Sequence, residues 1–314
     1  MVSTNKRKKK SNVRKWIYWI TGIFLAILLI GGSLISSVTH KIASTVAEMH
    51  EPLKRDIDRD RQNEIETIFQ ERKSLNLLLL AIDEQREDEP HVQFISLISM
   101  NPQTSGMNIL SIPVETTVDL QDESLTLEEV YTSGGTALTI DAIEQTFNLP
   151  AHFYVKVTMQ GIEEGTDILG GITIENDHAY TTDMNHFQSG QIELNGAEVI
   201  DFLQWMTENP NDDPERMTRQ NKVVGALTKG VINFSGIFKA GDALDLLASH
   251  VKTDMDLDML QALYFTYENT QDDMKYTKVN GDFLEADGAT SYIISEDEIE
   301  RIHSAIKEHM EAQP

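Results

Sequence analysis

Residues 16–38, WIYWITGIFLAILLIGGSLISSV, are apolar or uncharged throughout. About 20 such residues span the roughly 30 Å hydrocarbon core of a bilayer. Lys6, Arg7, Lys8, Lys9, Lys10, Arg14 and Lys15 precede the run, and residues 1–15 hold no acidic side chain. Basic residues stay on the cytoplasmic side, so the N-terminus is expected inside and everything after residue 38 outside. Trp16, Tyr18 and Trp19 stand at the inner end, where aromatic rings favour the headgroup level. The run is longer than a signal-peptide core and no small-x-small cleavage site follows it, so it reads as an uncleaved single-pass anchor.

Charge divides at the same boundary. The whole chain carries −25, and the seven cations of the tail leave −32 on the remainder. Such a domain repels nucleic acid at long range, although a local basic pocket could still hold an anion. Hydrophobic residues make up 40% of the 314, enough for a core in one large domain or two small ones;. There is no cysteine, which excludes thiolate metal sites, thiol nucleophiles and disulfides. The histidines lack metal-ligand spacing such as H-E-x-x-H.

Residues 39–73 are polar, with apolar residues every three or four positions and a break at Pro52. They predict a helical stalk. From Asn76 the pattern changes. Residues 76–83, NLLLLAID, predict a buried strand that delivers Asp83 to a sheet edge;. Strands follow at 93–100 and 107–112, with a turn at 101–106. Helices are expected at 136–147, 161–169, 196–206 and 216–231, and strands at 151–158 and 172–175. Residues 236–314 read as a largely helical extension with a short strand near 291–294. Strands alternating with helices give an α/β fold, a central mixed sheet flanked by helices.

Asn108-Ile109-Leu110-Ser111-Ile112-Pro113, Tyr131-Thr132-Ser133-Gly134-Gly135, Leu169-Gly170-Gly171-Ile172, Leu194-Asn195-Gly196-Ala197-Glu198 and Asp213-Pro214-Glu215-Arg216-Met217-Thr218-Arg219-Gln220 follow one another in order. Together they resemble the LytR-CpsA-Psr family over about residues 74–235. The resemblance implies an α/β sandwich with an apolar tunnel for a lipid. It implies an extracytoplasmic phosphotransferase that moves a teichoic acid or capsule type glycopolymer from a polyprenyl-pyrophosphate carrier to peptidoglycan, commonly with Mg²⁺.

By that resemblance Asp83 is a catalytic carboxylate and Mg²⁺ ligand. Arg216, Arg219 and Gln220 grip the pyrophosphate, Arg219 being catalytic, and Arg86 lies one place beyond a further arginine position. Asp213 precedes the pair as an acidic partner or helix cap. The chemistry suits these residues. A guanidinium fork binds phosphate through two hydrogen bonds, and at i, i+3 two of them share one helix face.

The departures are as specific. Val114-Glu115 stands where the family places Arg-Asp, Gln93 where it places an acid, and Gln204-Trp205-Met206 where it places Arg-x-Arg. Three functions follow: an active ligase of glycopolymer to peptidoglycan, a catalytically weakened relative that binds lipid-linked polymer or a partner, and an acidic surface interaction protein with no lipid site.

Overall fold

The computed structural model describes residues 39–84, 90–120, 123–204, 215–233, 240–286 and 289–313. The chain forms two units, Met1–Thr45 and Val46–Pro314. Residues 39–45 of the first are helical. The apolar run 16–38 lies outside the described residues, and no helix among the described residues is long and apolar enough to cross a membrane.

In the second unit residues 46–49 are helical, and the helix stops before Pro52, whose ring cannot extend it. Helix α1 (Arg59–Gln70) is capped by the Asp58 carboxylate, which accepts from the N–H groups of Asp60 and Arg61;. The expected stalk is corrected here. Ile65 and Ile68 are buried in a core cluster, and Phe69 stacks on Phe153 with ring centroids 5.7 Å apart. Arg55 and Arg61 donate to the carbonyls of Ala151 and His152. A helix with one apolar stripe buries it where a surface is available, and the domain supplies that surface.

Strand β1 (Leu75–Asp83) pairs antiparallel with β2 (His91–Asn101), which pairs antiparallel with β3 (Gly106–Ile112). Their side chains serve two cores. Leu77 and Ala81 join one cluster, while Leu78, Leu80 and Ile82 join the other. A sheet covered on both faces explains why these strands read as continuous apolar runs. A hairpin, β4 (Thr117–Leu120) and β5 (Glu123–Thr126), leads into α2 (Leu127–Phe147). Thr126 and Glu129 cap that helix reciprocally;. Helix α2 begins earlier than 136 and kinks at Gly135, at φ 62 and ψ −156, a backbone conformation that glycine tolerates best.

Then come β6 (Phe153–Thr158), α3 (Met159–Leu169), β7 (Ile172–Asn176), β8 (Tyr180–Thr181), β9 (His186–Phe187), β10 (Gly190–Leu194), α4 (Gly196–Gln204) and α5 (Arg216–Ile232). The remainder is α6 (Ala240–His250), β11 (Val251–Thr253), α7 (Leu257–Tyr267), β12 (Asp273–Thr277), the hairpin β13 (Asp282–Ala286) and β14 (Ala289–Ile293), and α8 (Glu296–Glu311).

The central sheet has the order β11-β6-β1-β2-β3-β12. It is mixed, with β6 parallel to β1 and β12 parallel to β3. The C-terminal region is therefore more than a helical extension, since β11 and β12 form both sheet edges. Strands of three and five residues are too short to show an alternation in sequence. The first core lies against α1, α3, α4 and α5, and the second against α2 and α8.

One buried polar cluster lies beside β6. Asp254 Oδ1 accepts from Tyr154 N at 3.0 Å, while its Oδ2 is buried without a partner. Burial pushes the Asp254 carboxyl up to about 6. His152 is pushed down to about 4 by burial and by Arg61 and Arg55, and its Nδ1 accepts from Asn76 N. A raised carboxyl contributes stability that is complete below its unfolded value near 3.8 and is lost as pH rises through 6;. A depressed histidine contributes stability present above 6.5 and lost as pH falls through 4;. The two slopes oppose each other between pH 4 and 6.5. Asp254→Asn is expected to unmask the histidine, so that Tm climbs with pH across that window more steeply than in the wild type. Thermal melts from pH 4 to 8 check this, and parallel Tm profiles would contradict it.

Candidate functional site

The strands that run toward Asp83 converge on one end of the sheet. β1 ends at Asp83, β3 leads into Pro113, Val114 and Glu115, and α5 starts with Arg216. Contacts join these points. His91 is the cross-strand partner of Asp83, and its Nδ1 lies 3.1 Å from Glu128 Oε1. The Glu128 N–H donates to the Val114 carbonyl at 2.9 Å. Glu115 then meets Arg216. Arg216 Nη1 donates to Glu115 Oε1 at 2.8 Å, and Nη2 to Oε2 at 2.6 Å.

Gln93 marks a feature the sequence hid. Ala81 pairs with Phe94 and Ile82 with Val92, so Gln93 is the extra residue of a β-bulge. Bulges re-aim side chains beside functional sites. This one sets His91 opposite Asp83, and it falls where the family places an acid.

Helix α5 starts at this end of the sheet, packs along β3 and reaches both cores. Met217 packs against one, and Val223 and Val224 are buried in the other. A hydrogen-bonded chain fixes the helix in place: the Ser96 and Ser111 hydroxyls are 2.9 Å apart, and Ser111 Oγ donates to Asn221 Oδ1 at 2.9 Å. All three residues are buried. Satisfied buried polar networks specify one packing arrangement, so Asn221 and Ser96 set the rotation of α5 and with it the aim of its arginines. Sequence reading missed both. The only signal was an apolar strand interrupted by serine at two facing positions.

The two arginines share a helix face but serve different neighbours. Arg216 is 9% exposed, holds Glu115, and stacks its guanidinium over Phe283 of β13 at 5.7 Å. Arg219 is 4% exposed, and its Nε donates to the Phe202 carbonyl at 3.3 Å. The Arg219 guanidinium lies 5.3 Å from the Tyr180 ring. Tyr180, Phe187 and Phe202 pack with centroids 5.1 to 5.6 Å apart, forming an aromatic cluster beside Arg219. Gln220 is buried next in sequence. Val114 packs against the second core, and Gln204 is exposed at the end of α4. Arg86, Gln85, Trp205, Met206 and Asp213 lie outside the described residues.

Mg²⁺ can be tested against the donors present. Asp83 offers one carboxylate, Glu115 is committed to Arg216, and no group of three His, Asp or Glu side chains among the described residues is spaced to hold an ion. That excludes a cage made of described protein ligands alone. It fits magnesium that arrives with a phosphate, because this ion needs only one or two carboxylates when phosphate oxygens and water complete its shell.

A groove of about 670 Å³ lies at the other end of β1, near Ser74. Its wall includes Arg72, Lys73, His303 and Lys307. α1, α2 and α8 all end at this groove, so Arg72, Lys73 and Lys307 complement the negative ends of helix dipoles. Leu149, Pro150 and Met310 share its wall with these polar side chains.

An α/β sheet whose strand ends gather carboxylates and paired arginines is the architecture of an anion-handling protein, and comparison with known proteins gives it a family. The model of the LytR_cpsA_psr family matches residues 36–308, and the chain belongs to that family. It is 36% identical over 320 residues, covering all of both chains, to the polyisoprenyl-teichoic acid–peptidoglycan teichoic acid transferase TagU of Oceanobacillus iheyensis. The TagU of Bacillus cereus is 29% identical, over 95% of this chain and 98% of that one. The crystal structure of B. subtilis TagU superposes with a TM-score of 0.60 at 26% identity, covering 76% of this chain and 99% of that one.

Proposed function

We propose that the chain is a single-pass membrane protein anchored by residues 16–38, whose extracytoplasmic domain transfers an anionic glycopolymer of the teichoic acid class from a polyprenyl-pyrophosphate carrier to peptidoglycan. The observation that carries this reading is the match along the full length of both chains to a relative named for that transfer.

In this reading Arg219, Arg216 and Gln220 bind the pyrophosphate, with Arg86 a further contact. The acceptor hydroxyl attacks the phosphorus that bears the glycan. The bond to the outer phosphate breaks, polyprenyl phosphate departs, and the hydroxyl proton passes to solvent. Positioning and fixed positive charge supply most of the catalysis in phosphoryl transfer. Asp83 holds Mg²⁺, which when bound adds positive charge at the phosphate oxygens. Tyr180, the partly buried ring of the aromatic cluster beside Arg219, would form the apolar wall for the prenyl chain.

A second reading, a weakened member that binds lipid-linked polymer and regulates envelope assembly, is favoured by one observation. The residue in the family's arginine place, Val114, packs against an apolar core and carries no charge. The test uses the full-length chain in detergent with a lipid-pyrophosphate-linked glycan, a peptidoglycan oligomer and Mg²⁺. Release of lipid phosphate with formation of the conjugate supports the transferase. Tight lipid binding without conjugate, alongside transfer by a relative carrying the arginine, supports the second reading.

A further inference from the structure

Glu115 occupies the arginine that the proposed function assigns to pyrophosphate. Both carboxylate oxygens face both terminal nitrogens of Arg216, at 2.8 and 2.6 Å. A phosphate seeks the same bidentate edge. The two side chains are only 11% and 16% exposed, so water screens the pair weakly.

The hairpin of β13 and β14 rests on both partners. Phe283 lies against the Arg216 guanidinium, and the Tyr292 N–H donates to the Glu115 carbonyl at 2.7 Å. The Phe283 and Tyr292 rings are 4.6 Å apart, so the contact on the cation and the contact on the acid belong to one packed unit. Val114 supplies no second cation beside Glu115. An anion therefore reaches this edge of Arg216 only by taking the place of the carboxylate.

We propose that Glu115 is an internal competitor for the pyrophosphate site: its carboxylate holds Arg216 in the absence of ligand and is exchanged for a phosphate on binding. This rests on the transferase reading and adds a residue that sets the affinity of the site. Removing the competing charge raises affinity, because this edge of Arg216 no longer has to give up a carboxylate when a phosphate arrives.

Titration of the full-length chain in detergent with inorganic pyrophosphate and with geranyl pyrophosphate tests the exchange. Glu115→Gln is expected to bind both at least about tenfold more tightly than the wild type. In an Arg216→Gln background the same change is expected to do nothing, the signature of a coupled pair. If circular dichroism shows that E115Q has lost its fold, Glu115→Asp takes its place. Its side chain is one methylene shorter and reaches the two nitrogens less well, and about a threefold gain is expected. Equal or weaker binding by the folded variant, with wild-type transfer intact, overturns the competitor role and leaves the transferase standing. No binding by wild type or variant, together with no transfer, overturns both. A gain for the prenyl ligand alone would place the effect at the lipid wall and also overturns the exchange.

Discussion

Arg219→Ala is expected to reduce transfer by at least about a hundredfold, the scale of losing one preorganised donor to a transition-state oxyanion. Arg219 is a buried cation that touches the Tyr180 face and the Phe202 carbonyl. The same change also removes one donor from that carbonyl, which keeps the Tyr180 hydroxyl at 3.4 Å, so a stability loss of about 0.5–1.5 kcal/mol accompanies it. Lysine at this position separates the two effects. Arg219→Lys keeps the charge but not the planar fork, and it is expected to recover the fold better than the reaction. Thermal melts and transfer rates on both variants check this. Wild-type turnover in folded Arg219→Ala would remove Arg219 from the site.

The second large effect concerns the segment before the sheet. A chain that begins at residue 74 lacks α1 and its contacts, and is expected to unfold or aggregate at 37 °C. Ile65 and Ile68 are each buried in the first core, and truncating a buried isoleucine to alanine costs about 2–5 kcal/mol. Losing the whole helix also bares Phe153, on which Phe69 stacks. The two isoleucines alone come to about 4–10 kcal/mol, comparable to the roughly 5–15 kcal/mol by which domains are usually stable. Urea melts of chains starting at residues 46 and 74, and of Ile65→Ala with Ile68→Ala, would decide it. Equal midpoints for the two starting points would return residues 46–73 to the role of a stalk.

That segment also shows what a sequence reveals. The helical spacing of 59–70 was legible, but the partner for its apolar stripe was not, because a stripe looks the same against a second helix or against a domain. β1, β2 and β3 were legible because burial on both faces gives them continuous apolar runs. The edge strands β11 and β12 were not, because in a few residues neither alternation nor a run can form. At the site, the spacing of Arg216 and Arg219 placed both on one helix face. It could not show that Glu115, 101 residues away, holds one of them. Nor could it show the bulge at Gln93, since one extra residue in a strand leaves no mark on composition. Asn221 was hidden for a similar reason: an asparagine in a helix reads as a surface residue until two facing serines are seen beneath it.

The most direct measurement is a crystal structure of the protein with geranyl pyrophosphate bound. The central claim is that the sheet end carrying Asp83, Arg216 and Arg219 receives the pyrophosphate. The expected result is phosphate oxygens within hydrogen-bond distance of Arg216 and Arg219, with the Glu115 carboxylate displaced. A pyrophosphate in the groove of Arg72, Lys73 and Lys307 at the opposite end, with the Glu115–Arg216 pair intact, would contradict it.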